Sequence, residues 1–224
     1  MNRPRSDRSR ARALCDEYAR RGDPTGWFEA LYREAAGDET SIPWADRVPN
    51  PHLLAWHAGT GHDLRGKRCL KVGCGLGDDA EYLAAAGGEV VAFDISETAI
   101  AWCRRRHPAS RVRYVAADLL EPPREWSRGF DFVLESYTLQ ALPEAIRRRA
   151  LECVAGFVAT DGVLLVICRG RDPGDPPGEL PWPLTRREVE ALASLGLRER
   201  SFEDFRDDED PPVRRFRACY VRDA

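Results

Sequence analysis

Cys69-Leu-Lys-Val-Gly-Cys-Gly-Leu-Gly-Asp-Asp79, followed by a helical run and then Gly87-Gly-Glu-Val-Val-Ala-Phe-Asp94, is the stretch that decides the fold. A short apolar run (Cys69, Leu70, Val72) leads straight into Gly73, Gly75 and Gly77, and Ala80, Leu83 and Ala84 then recur at helical spacing. The glycines therefore belong to a strand-to-helix turn. Glycine lets backbone approach a ligand closely, the helix start offers free N–H groups, and an acid closing the next strand can accept ribose hydroxyls. Asp94 is that acid, 17 residues after Gly77 and at the end of Val90-Val91-Ala92-Phe93.

A Gly-x-Gly-x-Gly run also suits dinucleotides, so its surroundings decide. A dinucleotide places pyrophosphate at the helix N-terminus, but Asp78 and Asp79 fill this first turn. Two carboxylates suit the helix dipole and repel phosphate. A cationic or zwitterionic ligand carrying ribose and adenine fits better, which points to S-adenosylmethionine rather than a nicotinamide cofactor.

Working outward, the remaining pattern alternates strands and helices. Helices are predicted from Ala13 to Arg21, around Trp27, Phe28, Leu31 and Tyr32, around Leu53, Leu54 and Trp56, from Glu97 to Arg106, and from Pro143 to about Ala159 with its arginines outward. Residues 1 to about 12 read as a frayed start. Strands are predicted at Val112–Val115, Phe130–Leu134, Val163–Cys168 after an Asp161-Gly162 turn, Ser201–Phe205 and Val213–Val221. Thr185 with Glu188 forms a capping box, and Gly196 ends that helix. The segment 169–183, with five prolines and three glycines, is a mobile loop or a lid. The fold class is α/β, a doubly wound, mostly parallel seven-stranded sheet with helices on both faces and an antiparallel C-terminal hairpin strand. Residues 1–64 are expected to be a helical, aromatic segment covering the site, and 65–224 the cofactor-binding domain.

At 224 residues the chain suits one core, and its net charge of −3 gives no general attraction to nucleic acid. The arginines of 104–106 and 147–149 read as solvated helix faces. No apolar run is long enough to span a membrane and none resembles a secretory signal, so a cytoplasmic protein, monomeric or homodimeric, is expected. The seven cysteines suit reduced core thiols. His52, His57 and His62, five apart, fall on different helix faces, which argues against a metal.

Taken together, Val72-Gly73-Cys74-Gly75-Leu76-Gly77, Asp94 after the second strand, Ala117-Asp118-Leu119 after the third and Glu135 after the fourth resemble the class I S-adenosylmethionine-dependent methyltransferases. Within them, four features resemble the thiopurine, thiol and halide group: Ile42-Pro43-Trp44-Ala45-Asp46 with Pro49-Asn50-Pro51; Gly77-Asp78-Asp79; Val91-Ala92-Phe93-Asp94-Ile95-Ser96; and Tyr137-Thr138-Leu139-Gln140-Ala141-Leu142-Pro143. Lys71 departs from the superfamily, many of whose members carry there an acid that helps hold the methionine amino group. The Asp/Asn-Pro-Pro-Tyr signature of amino-methylating enzymes is missing.

The resemblance implies a Rossmann-like methyltransferase fold and a cofactor, S-adenosylmethionine, that leaves as S-adenosylhomocysteine. It implies cofactor contacts from Gly73, Cys74, Gly75 and Gly77, ribose contacts from Asp94, and adenine contacts from Ile95, Asp118 and Leu119. Glu135 and Ser136 would lie near the sulfonium, with Trp44 folded over it. Tyr137 and Arg169 are the candidate catalytic residues. The acceptor implied is a small molecule, a thiol or other soft nucleophile, which needs only to arrive as thiolate. The alternatives are O- or N-methylation of a natural product, with a base such as His57, and a non-catalytic S-adenosylmethionine-binding regulator.

Overall fold

The computed structural model describes residues 8–224. Residues 1–7, part of the expected frayed start, lie outside the described residues. In chain order the elements are α1 (Ser9–Arg20), α2 (Trp27–Ala35), α3 (Pro51–Thr60), β1 (Arg68–Val72), α4 (Asp78–Ala85), β2 (Glu89–Asp94), α5 (Glu97–Arg106) and β3 (Arg113–Ala116). Then come β4 (Phe130–Ser136), α6 (Glu144–Phe157), β5 (Val158–Arg171), β6 (Leu184–Thr185), α7 (Arg186–Glu190), β7 (Arg198–Arg206) and β8 (Arg214–Val221).

The sheet runs β3-β2-β1-β4-β5-β8-β7, and the two-residue β6 pairs with β5 beyond the main path. The strands β1 to β5 are parallel to their neighbours, and β8 and β7 are antiparallel. Strand order reverses between β1 and β4, so the carboxyl ends of both open onto a crevice where α/β sheets bind ligands. Both faces are covered. On one, Leu70, Val72, Val133, Leu164 and Val166 pack with α6 and α7; on the other, Cys69, Phe132, Leu134 and Leu165 pack with α3, α4 and α5. All seven cysteines are free and buried. Burial raises the Cys69 thiol to about 12, as expected of core thiols rather than nucleophiles.

A third apolar cluster joins the N-terminal helices to the sheet: Leu14, Trp27, Leu31 and Tyr32 pack with Ala99 and Trp102 of α5. One carboxylate fixes this docking. Glu29 of α2 accepts hydrogen bonds from Ser96 Oγ, Thr98 N and Thr98 Oγ1, at 2.7, 3.1 and 2.7 Å.

Several local expectations need correction. Residues 9–12 are helical, because Ala11 and Leu14 gain a buried face once the segment docks. Asp161-Gly162 does not turn the chain; β5 already starts at Val158, and Asp161 (φ 60°) is an irregularity within it, its N–H bonded to Arg222 O at 2.8 Å. The arginines were expected outward, yet Arg147 is buried, donating to Leu139 O and Leu142 O and pairing with Glu188. Arg106 likewise binds Leu76 O, Glu39 and Asp78. The expected capping box forms, but it heads only α7, which tightens into a 3-10 turn before Gly196. The 169–183 segment is docked at its far end: Leu180 is buried, its carbonyl accepts from Arg12 Nε at 3.1 Å, and Trp182 N donates to Gln140 O at 2.7 Å.

Candidate functional site

The site is built where β1 and β2 end. Val72 passes into Gly73, Gly75 and Gly77, whose φ angles are 56°, 55° and 91°, the left-handed region that only glycine enters cheaply. Their reasons differ. A Cβ on Gly73 would meet Thr138 Oγ1 at 2.3 Å and one on Gly77 would meet Tyr114 Oη at 2.5 Å, so the protein's own side chains already fill those approaches. At Gly75 a Cβ would lie 3.5 Å from Trp44 Cδ1 and from Tyr32 Oη, which overhang the loop. Trp44 Nε1 donates to Tyr32 Oη at 2.7 Å, holding the indole in place. Aromatic Trp44 thus comes to the glycine loop from a distant part of the chain.

Asp94 is buried at the end of β2. Its Oδ2 accepts from Gly75 N at 2.9 Å and its Oδ1 from Ser96 N at 3.0 Å. Each oxygen keeps a further lone pair, which suits a ribose diol. Burial raises its pKa, while the backbone N–H groups of Ser96 and Gly75 oppose that shift. Ile95, half-buried, follows it. Cys74 is buried, its side chain in the apolar cluster with Leu83 and Cys103 and its N–H given to Phe93 O at 2.8 Å. Just beyond β3, Asp118 Oδ1 accepts from Leu120 N at 2.8 Å, a turn contact, and Leu119 packs into the core.

The first turn of α4 is less repulsive than its two carboxylates suggest. Asp78 is paired with Arg106 at 3.1 Å. Asp79 Oδ1 accepts from Asn50 N and its Oδ2 from Ser136 Oγ, both at 2.8 Å, and Lys71 Nζ lies 4.0 Å from Oδ2. Repulsion of a pyrophosphate is therefore a weaker argument than it was in sequence, since pairing partners arrive from α5, β1 and β4.

Glu135 and Ser136 diverge. Ser136 faces α4 through Asp79, whereas Glu135 points to the α6 face, where Oε1 accepts from Thr138 N at 2.8 Å and Leu139 N at 2.9 Å. Its Oε2 is buried without a partner among the described residues. Burial raises the Glu135 pKa to about 7, against the opposing turn amides and the charge of Lys71.

Beyond β4 lies a polar cluster that the sequence did not single out. Tyr137 holds φ 66°, a strained conformation for a side-chain-bearing residue, which aims its ring across the strand ends. Arg215 of β8 stacks over that ring at 5.1 Å and pairs with Asp207 at 2.6 Å and with Glu209. His52 approaches from α3, 3.9 Å from Asp207. Burial and the charge of Arg215 lower its pKa, so the imidazole is neutral at pH 7. Burial raises the Tyr137 phenol to about 12, which makes it a donor and unsuits it as a base. His52 also lines a cavity of about 510 Å³ with Ala55, Phe205 and Arg217. Arg169 sits directly across from Arg215 in the β5–β8 register and lines a second cavity of about 340 Å³ with Arg171, Arg206 and Arg214. The alternation of Arg215 and Arg217 on one strand face was the legible signal for this cluster.

His57, named as a possible base, is committed elsewhere. Its Nε2 meets the His62 carbonyl at 2.9 Å and its Nδ1 the Tyr82 hydroxyl at 2.6 Å. Among the described residues no group of His, Cys, Asp and Glu is placed to hold a metal. No helix among them is long and apolar enough to cross a membrane.

Comparison with known proteins agrees with this geometry. Residues 69–162 match the family described as "Methyltransferase domain". The chain is 31% identical over 126 residues to a probable phthiotriol/phenolphthiotriol dimycocerosates methyltransferase 2 of Mycobacterium ulcerans, covering 48% of each chain. It is 34% identical over 97 residues to a ubiquinone biosynthesis O-methyltransferase of Bordetella parapertussis, covering 42% of this chain and 40% of that one. The chain thus spans about half the length of the curated relatives it matches. Among solved structures, the 1,6-didemethyltoxoflavin-N1-methyltransferase of Burkholderia thailandensis, with S-adenosylhomocysteine bound, superposes with a TM-score of 0.68 at 21% identity, over 93% of this chain and 90% of that one. A protein solved in connection with the conversion of a disulfide bond into a thioacetal group during echinomycin biosynthesis superposes with a TM-score of 0.71, at 21% identity, over 89% and 92% of the two chains. The fold is the Rossmann-like methyltransferase fold, and residues 69–162 match a methyltransferase domain. The glycine loop, the buried carboxylate of Asp94 and the aromatic Trp44 fit S-adenosylmethionine, the cofactor of methyltransferases of this fold.

Proposed function

We propose that this protein transfers a methyl group from S-adenosylmethionine to a small-molecule acceptor. The observation that carries this is Asp94, a buried carboxylate pinned by Gly75 N and Ser96 N beside the glycine loop. S-adenosylmethionine supplies a methyl already activated on a sulfonium, so positioning accounts for much of the rate. Asp94 holds the ribose, Trp44 places an aromatic face over the loop where a sulfonium is attracted, and the strand ends carrying Tyr137 and Arg215, with His52 of α3 beside them, receive the acceptor.

Two acceptor chemistries have specific support. The arginines that line the second cavity, Arg169, Arg171, Arg206 and Arg214, favour a thiolate or other soft anionic nucleophile, in keeping with the resemblance to the thiol and halide group. The neutral His52 favours a hydroxyl acceptor whose proton it takes, and the Bordetella relative is named an O-methyltransferase. We favour the soft nucleophile, because no base is then required.

Calorimetry tests the cofactor first. The protein should bind S-adenosylhomocysteine, and Asp94→Ala should weaken binding by about 30-fold or more, the loss of charged hydrogen bonds to a diol. Absence of binding to S-adenosylmethionine and its product sinks the proposal. A panel of thiols and phenols then separates the acceptors: thiol methylation that survives His52→Gln supports the soft nucleophile, and phenol methylation abolished by it supports oxygen. Binding without transfer to any acceptor would point to a regulator instead.

A further inference from the structure

The glycine loop is floored by an unusual pair. Lys71 is 3% exposed, and its Nζ donates to Val72 O at 2.7 Å and Gly73 O at 3.1 Å. An ammonium has three donors, so one remains. The carboxylate of Asp79, 12% exposed, lies 4.0 Å from that Nζ, too far for a hydrogen bond, and each of its oxygens accepts only one bond, from Asn50 N or Ser136 Oγ. A cation and an anion are thus held side by side at the mouth of β1 as a loose ion pair, with no hydrogen bond between them. Taking charges out of water is costly unless each is fully partnered. A free α-amino acid group, an ammonium and a carboxylate on one carbon, is the complement of this pair.

We infer that Lys71 and Asp79 form a zwitterion receptor for the amino-acid end of the cofactor, Lys71 taking its carboxylate and Asp79 its ammonium. This rests on the methyltransferase reading above and assigns a role to the residue at which the chain departs from the superfamily pattern. It reverses the polarity at that strand position: a cation reads the carboxylate where an acid would have read the amine. The bland alternative is that Lys71 only offsets the charge of Asp79 and Asp94 during folding.

Calorimetry with four probes separates the two. These are S-adenosylhomocysteine, its decarboxylated analogue, its deaminated analogue, and methylthioadenosine, which lacks the amino-acid end. The wild-type protein should prefer S-adenosylhomocysteine to the decarboxylated analogue by about 10- to 100-fold, the range of one charged hydrogen-bonded contact. Lys71→Met should abolish that preference while leaving methylthioadenosine affinity within about 3-fold, and Lys71→Arg should restore part of it. Asp79→Asn should abolish the preference over the deaminated analogue instead. A wild type that binds both carboxylated and decarboxylated forms equally overturns the inference whether or not the variants fold. So does a Lys71→Met protein that keeps the preference, or one that loses all four probes alike. If the wild type binds none of them, including methylthioadenosine, the methyltransferase reading itself has failed.

Discussion

Glu135 shows how one residue's surroundings change its chemistry. Sequence placed it at the end of β4 among groups near the sulfonium, but strand alternation turns it to the opposite face from Ser136. Buried, with Oε2 unpartnered, it holds its proton to about pH 7 against an ordinary value of 4.5. The folded state therefore binds a proton that the unfolded state has released between these two pH values. The stabilisation this gives is complete below pH 4.5 and is lost as pH rises through about 7. Glu135→Gln lacks the titration. Urea unfolding at pH 4.5 and 8 should show the variant gaining, relative to wild type, about 3 kcal/mol across that interval. A constant difference between the two proteins would contradict the assigned environment. Asp94 and the glycines were legible because their spacing is local. The cluster of Arg215, Asp207 and His52 was legible only as the alternation of Arg215 and Arg217 on β8, since Asp207 meets Arg215 across the β7–β8 turn and His52 arrives from α3.

At the scale of elements, local signals succeeded where an element makes its own ends. The α5 boundaries were read correctly because Ser96 caps it, its Oγ accepting from Ala99 N at 2.9 Å. The Thr185–Glu188 box is likewise self-contained. Thr185→Ala should cost about 1 kcal/mol in urea unfolding, and Thr185→Ser should restore most of it, since only the hydroxyl is needed. Elements were misjudged where partners intervene. The start of β5 was hidden because Val158 pairs with Phe130 across a register shift, which extends a strand through a sequence that otherwise reads as a turn. Arg147 looked solvated on α6, yet its guanidinium ties that helix to the 139–142 turn and to Glu188.

At the scale of the molecule, the N-terminal segment brings Tyr32 and Trp44 to the glycine loop from outside the sheet. Trp44 reaches Gly75 only while α2 stays docked, and Glu29 holds α2 against the start of α5. Glu29→Ala should release this segment. Limited proteolysis should then cut within 36–49 faster than in wild type, and S-adenosylhomocysteine binding should weaken with the fold of the sheet retained by circular dichroism. Unchanged proteolysis would mean that the apolar contacts of Trp27, Leu31 and Tyr32 suffice. By itself the sequence determined the alternating strands and helices, the glycine turn and the acid that follows it, because those depend on hydrophobic period and short-range backbone geometry. Tertiary structure decided which charges meet: Asp78 with Arg106, Asp79 with Lys71, Arg215 with Asp207 and Glu209. Electrostatic character depends on burial and on neighbours across strands, and neither is written in the local order of residues.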